Sequence, residues 1–235
     1  MDDKHGWMEV TFRAPCDLSD ARPDKQWIEN LLRQNPDLTG WPFFVDLWTP
    51  RRPEWRPRIR EGVWEARMDA SGDKEDYHGG IDFWRVDAKR SLFFAARALE
   101  DDTEPKSPNP GKTLEFTLAI VRTAEILAVA VRFASFLCED QRDDDAKVPL
   151  TLKWSGLNGR VLSAWASPGR SLSMDYQSHT DVVKKTVELP LSSTRDQITL
   201  FTQKIVDDLF LCFDGWVCPS VVVDDLVHKL LSRRL

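Results

Sequence analysis

Several features that would point to a particular chemistry are scarce or missing in this chain of 235 residues. Histidine occurs four times, scattered, which gives no support to a histidine-rich metal site. The four cysteines, Cys16, Cys138, Cys212 and Cys218, form no C-x-x-C pair, and no histidine partners them at zinc-finger spacing. With no charged-then-apolar leader at the start, the expectation is four free thiols in a reducing, cytoplasmic setting. No long apolar run is free of charge. The most apolar stretch, 118–138, carries Arg122, Glu125 and Arg132. Each would cost about 2.5–3.5 kcal/mol at a bilayer centre, so the stretch reads as a buried helix and no membrane partner is expected. Residues 109–113 end like a phosphate-binding loop, but Lys106 stands where the motif needs glycine, and two nearby prolines remove amides. No G-x-S-x-G elbow surrounds Ser171, Ser173, Asp175, His179 and Asp181, which read as a polar loop between strands. The net charge of −6 argues against a whole-surface nucleic-acid binder and leaves room only for a local basic patch. No cofactor motif is found.

Apolar residues make up 42% of the chain and charged residues 30%, with both signs mixed. That balance excludes disordered, collagen-like and coiled-coil chains. A chain of this size buries roughly 70% of its unfolded surface without staples. Alternation predicts strands near 8–13, 43–48, 62–68 and 182–189, and helical spacing predicts a short helix over 24–34. Residues 81–87 and 91–99 read as a hairpin turning at Ala88-Lys89, with Trp84 opposite Phe93, Asp82 opposite Ala95 and Arg97 diagonal to Asp82. Residues 100–112, rich in proline and charge, read as a linker. Thr113 then caps a long helix to about residue 139, apolar on most sides. Asn158-Gly159 signals a second hairpin, joining 148–154 to 160–166. A capping box at Thr194 and Gln197 starts a helix near Arg195, Gly215 ends it, and a last helix covers 220–234. The expected fold is α+β: mainly antiparallel sheet from β-hairpins, packed around a long buried central helix, with C-terminal helices. It is read as a single domain over 1–235, with room for two subdomains, 1–104 and 113–235.

The most informative pattern is an interleaving of indoles and guanidinium groups. Trp41, Trp48, Arg51, Arg52, Trp55, Arg56, Arg58, Arg60, Trp64 and Arg67 follow one another within a proline-rich stretch. Arginine stacks on indole faces and forks onto phosphate or carboxylate, so Trp48, Arg51, Arg52, Trp55, Arg56 and Arg58 are candidate ligand-binding residues. The alternative is that the tryptophans pack the loop while the arginines snorkel, partly neutralised by Glu54, Glu61 and Glu65. A second group is His78, Asp82, Trp84 and Arg85, behind two glycines. There an inward Asp82 needs a partner, for which Arg97 is nearest. The acidic runs 100–102 and 143–145 read as solvated turns.

The strings Gly40-Trp41-Pro42-Phe43-Phe44-Val45-Asp46-Leu47-Trp48, Gly80-Ile81-Asp82-Phe83-Trp84-Arg85, Arg97-Ala98-Leu99-Glu100-Asp101-Asp102 and Trp154-Ser155-Gly156-Leu157-Asn158-Gly159-Arg160, with Ser163-Ala164-Trp165 following, carry a resemblance. Together they resemble the C-terminal regions of bacterial proteins whose N-terminal domain is Schlafen-like and AlbA-type, the part assigned to nucleic-acid binding. No catalytic residue carries over. The resemblance implies a regulatory or sensing role, in the setting of antiviral defence, for a companion region encoded alone. The expectation is therefore a non-catalytic recognition or regulatory domain that binds nucleic acid, a small anionic ligand or a companion Schlafen-like domain. A hydrolytic enzyme using carboxylates or His179, and a self-association module, are the alternatives.

Overall fold

The computed structural model describes residues 5–36, 38–48, 52–70, 80–102, 107–141, 143 and 145–233. Its centre is a seven-stranded sheet, antiparallel at every pairing, in the order β2-β3-β4-β5-β1-β7-β9. The strands are β1 (Trp7–Arg13), β2 (Arg58–Arg60), β3 (Val63–Asp69), β4 (Ile81–Asp87), β5 (Leu92–Ala98), β7 (Lys147–Ser155) and β9 (Val183–Pro190). A second, two-stranded parallel sheet pairs β6 (Thr113–Glu115) with β8 (Val161–Ser163). The four helices are α1 (Lys25–Leu32), α2 (Phe116–Leu137), α3 (Arg195–Leu211) and α4 (Ser220–Leu231). The fold class is thus α+β with a large antiparallel sheet. No described helix is long and apolar enough to cross a membrane.

Strand alternation sorts the sheet into two faces. On the inner face Met8, Val10 and Phe12 of β1 join Phe93 and Ala95 of β5, Trp84 and Val86 of β4, and Trp64, Ala66 and Met68 of β3, all buried. Helix α2 packs there, its Phe133 meeting Phe12, Phe93 and Phe44 at ring-centroid distances of 6.3, 6.1 and 5.3 Å. Helices α3 and α4 pack on α2 in turn. The Thr194–Gln197 capping box starts α3, and Gly215, at φ 72°, follows its end.

Several local expectations shift. Residues 43–48 form no strand; they are a buried irregular segment between the sheet and α2. The β4–β5 loop is four residues long, with Ser91 left-handed at φ 51°. Asp82 therefore sits directly opposite Arg97, and Trp84 opposite Ala95. This is a slip of two residues, which preserves every facing because the side-chain period is also two. Thr113 lies in β6, and the α2 N-cap is Glu115, whose carboxylate accepts from the Thr117 and Leu118 amides. Gly159 takes a positive φ in a turn closed by Arg160 N–H to Leu157 O, but the turn joins no hairpin. Strand β7 pairs with β1 and β9, whereas β8 leaves for β6, because the Arg160 guanidinium draws the chain toward Thr113.

The free-thiol expectation holds for Cys212 and Cys218 and fails for the other two. Cys16, after β1, is disulfide-bonded to Cys138, the C-cap of α2, across 122 residues of sequence. Non-reducing peptide mapping should recover this one cross-link with Cys212 and Cys218 as thiols. Reduction should lower stability by about 2–4 kcal/mol, the usual effect of opening a long closed loop. Identical denaturation curves with and without reductant would refute the linkage.

Candidate functional site

The indole–arginine stretch splits across the two sides of the sheet. Trp55 is buried, with Arg52 over its ring at 5.2 Å. Trp48 is half-buried, edge-on to Trp64 at 5.6 Å and under Lys25. Arg56 is exposed, and Arg51 and His78 lie outside the described residues. Trp84 is in the core and donates its indole N–H to Val45 O at 2.9 Å. Asp82 and Arg97 point inward, joined Oδ1 to Nε at 2.5 Å, with side chains 5% and 6% exposed. Asp82 also accepts from the Trp41 indole at 2.8 Å, and Arg97 donates to the carbonyl of Pro42 at 3.0 Å. Next to it Arg122 of α2 donates to Trp41 O at 3.0 Å, to Glu100 at 2.7 Å and to Glu125 at 2.7 Å. The paired carboxylates raise the Arg122 pKa, and the arginines hold Glu100 below the usual carboxylate range despite its burial. These groups are saturated by one another and hold residues 39–47 in place.

Arg58 and Arg85 lie elsewhere, on the outer face. The register places Arg58 of β2, Glu65 of β3, Arg85 of β4 and Phe94 of β5 in one row across the strands. Arg67, Phe83 and Ala96 make the adjacent row. The Glu65 side chain is 7% exposed, and three guanidinium groups gather round it: Arg58 at 3.9 Å, Arg60 at 3.8 Å and Arg85 at 3.3 Å. Exposed Glu61 reaches Arg85 only at 4.0 Å, and Arg67 pairs with Asp69 at 3.4 Å. Beside the cations run Phe83 and Phe94, half-buried, their centroids 5.9 Å apart and their planes at 57°. Buried Trp7, Ile81, Ala96 and Ala98 form the floor, a hydrophobic cluster separate from the main core. The result is an open groove of about 420 Å³, whose rim also includes His5. Among the described residues the helices pack into the main core on the other side of the sheet. Further along the outer face Glu9 pairs with Lys153 at 3.0 Å and Thr151 with Thr186 at 2.9 Å, and exposed Lys184 stands opposite Lys153.

No family model, curated protein or solved structure matches this chain. The outer-face groove is therefore judged on its own geometry. Of its lining, the sequence argument singled out Arg58 and Arg85 as site residues; Phe83, Phe94, Ala96 and Trp7 were missed. The available signal was strand parity: Glu65 and Arg67, Phe83 and Arg85, and Phe94 and Ala96 alternate with core residues in three strands, and Arg58 and Arg60 keep the same parity in β2, whose Ile59 is exposed.

The other polar clusters are structural in character. The acidic run after β5 is not solvated; its three carboxylates turn three ways. Glu100 meets Arg122, as above. Asp101, 2% exposed, accepts from Thr113 Oγ1 at 2.8 Å and the Trp165 indole at 2.6 Å. Asp102 takes Arg160 Nη2 at 2.7 and 2.9 Å. In the loop like a phosphate cradle, the Gly111 and Lys112 amides already bond Asp101 O and Asn109 O. His179 is exposed and contacts Asp214 at 3.2 Å, while Ser173 pairs with the Tyr176 hydroxyl. Burial pushes the Cys218 thiol up to about 12, which is the opposite of an activated nucleophile. A groove of about 430 Å³ at the end of α2 is lined by Arg132 together with Glu139 and Asp143, so it has no cation excess.

Two stability predictions follow from the buried charges. Asp82→Ala strands Arg97 without a counter-ion and should cost about 3–5 kcal/mol, with Asp82→Asn milder because it keeps an acceptor; urea titration checks both. Glu115, 1% exposed, is pushed up to about 7 by burial, against the opposing effect of its hydrogen bonds from Thr117, Leu118 and Ala166. A carboxyl whose folded pKa lies above its unfolded value favours folding less as pH rises between the two. Its contribution should therefore fall from about pH 4.5 to about pH 7. Melting curves across that window should show the decline in the wild type and a flatter profile for Glu115→Gln; equal slopes would refute it.

Proposed function

We propose that this chain is a non-catalytic recognition module that binds an anionic ligand on the outer face of its sheet. The observation that carries the reading is the crowding of Arg58, Arg60 and Arg85 around the single, nearly buried carboxylate of Glu65. Glu65, with Glu61 reaching only Arg85 at 4.0 Å, neutralises three guanidinium groups incompletely and gathers them beside an apolar floor. Arginine forks prearranged in this way lose less side-chain entropy when they meet phosphate or carboxylate. In a chain of net charge −6, the patch also orients an approaching anion, since the rest of the surface repels it on average. The reading accords with a regulatory role beside a companion Schlafen-like domain, as the resemblance implies.

Retention on immobilised heparin tests it. The wild type should bind at low salt and elute as salt rises, through counter-ion release. The double variant Arg58→Ala/Arg85→Ala should elute at lower salt while remaining folded, with a lowered melting temperature because the nearly buried Glu65 keeps only Arg60. Lys204→Ala, on exposed α3 surface, should elute with the wild type. Flow-through of the wild type, or identical elution of all three proteins, would overturn the proposal.

A further inference from the structure

Resting on that reading, we infer that the anion taken by the outer face is a single-stranded nucleic acid, its phosphates on the arginines and its bases on Phe83 and Phe94. Cations alone would serve any anion; the groove adds a second element. Phe83 and Phe94 lie within the two rows that end in Arg67 and Arg58, one strand from Arg67 and Arg85 and, for Phe94, three strands from Arg58. Adjacent strands lie about 4.8 Å apart, so charge and ring are separated by roughly 5–15 Å, a range that spans the distance from a phosphate to its base. The two rings are tilted at 57° and do not stack face to face, so neither consumes the other's π face. Ala96 stands opposite Phe83 and two residues along β5 from Phe94, and its small buried methyl group forms part of the groove lining between the taller rings.

One polar atom points the same way. Among the described residues, the buried Arg85 Nε on the lining of this groove has no hydrogen-bond partner, whereas His5 Nδ1 faces Asp102 Oδ2 at 3.9 Å. An unused guanidinium N–H is costly unless a ligand supplies a partner. A nucleotide strand offers it phosphate oxygens. Duplex fits less well, because its stacked bases are unavailable to Phe83 and Phe94 and only its phosphates would be engaged. A small anion such as inorganic phosphate would leave the aromatic floor without a role.

The test is fluorescence anisotropy with labelled oligonucleotides about twelve nucleotides long, as single-stranded DNA, single-stranded RNA and DNA duplex. Single strands should bind at least about tenfold more tightly than duplex, since stacking contributes about 1–3 kcal/mol per base. Phe94→Leu and Phe83→Leu keep the apolar floor and remove the flat ring. Each should weaken the single strand about 5- to 100-fold and leave heparin elution unchanged, whereas Phe94→Trp should retain binding. The DNA and RNA arms show which sugar is preferred. Heparin retention that depends on Arg58 and Arg85, with duplex bound as well as single strand or with Phe-to-Leu variants indistinguishable from wild type, would overturn this inference and leave the anion-binding reading standing. Loss of heparin retention as well would bring down both.

Discussion

The structure depends on supplying hydrogen-bond donors to a chain segment that is buried without belonging to any ladder. Residues 39–47 run between the sheet and α2, with Phe43, Phe44, Val45 and Leu47 buried and no neighbouring strand to take their carbonyls. A buried unpaired carbonyl costs on the order of 1–3 kcal/mol. Side chains provide the partners: Arg122 for Trp41 O, Arg97 for Pro42 O, Asn35 for Phe44 O and Trp84 for Val45 O. Two of those donors are guanidinium groups, and bringing them inside requires Asp82, Glu100 and Glu125 to follow. The buried charges are therefore a consequence of the irregular segment, and the segment is what lets Phe43 and Phe44 fill the space between sheet and helix.

A second network joins the part of the chain before α2 to the part after it. Asp102 binds Arg160, Arg160 binds Gly156 O and Thr113 O, and Asp101 binds the Glu115 amide and the Trp165 indole. The approach is close enough that a Cβ on Gly156 would lie 2.7 Å from the Gly6 Cα, so glycine is required there on space as well as on its positive φ. The Cys16–Cys138 bond adds a covalent tie at the opposite end of α2. Helix α2 is thus fixed at its first turn by carboxylates and at its last by sulfur.

Because the irregular segment and the helix layer occupy the inner face, the outer face keeps the charge that its strands carry. It divides into an arginine-rich, aromatic half on β2–β5 and a half on β1, β7 and β9 that carries lysines and threonines, with Glu9 paired to Lys153. The candidate site is the half in which three arginines gather around Glu65 beside Phe83 and Phe94. Its precision comes from the sheet: positions on adjacent strands are set by backbone hydrogen bonds, so arginine and phenylalanine are held at fixed relative places.

Local pattern alone gave the α+β class, the β4–β5 pairing to within a two-residue slip, Arg97 as the partner of an inward Asp82, and the capping box of α3. Each depends on residues a few positions apart, or on a parity that survives a two-residue slip. The rest was decided by contacts between distant segments. Cys16 and Cys138 meet only because β1 and the end of α2 are packed together. Asn158-Gly159 turns the chain as its residues favour, but Arg160, drawn to Asp102, sends the following strand to β6. The indole–arginine stretch looks continuous in one dimension. Strand alternation and the burial of Trp55 take it apart, leaving the tryptophans with the core and bringing Arg58 and Arg60 beside Arg85 and Phe94 from the later hairpin. Sequence determines which side chains can share a face. Only the pairing of strands determines which of them meet on it.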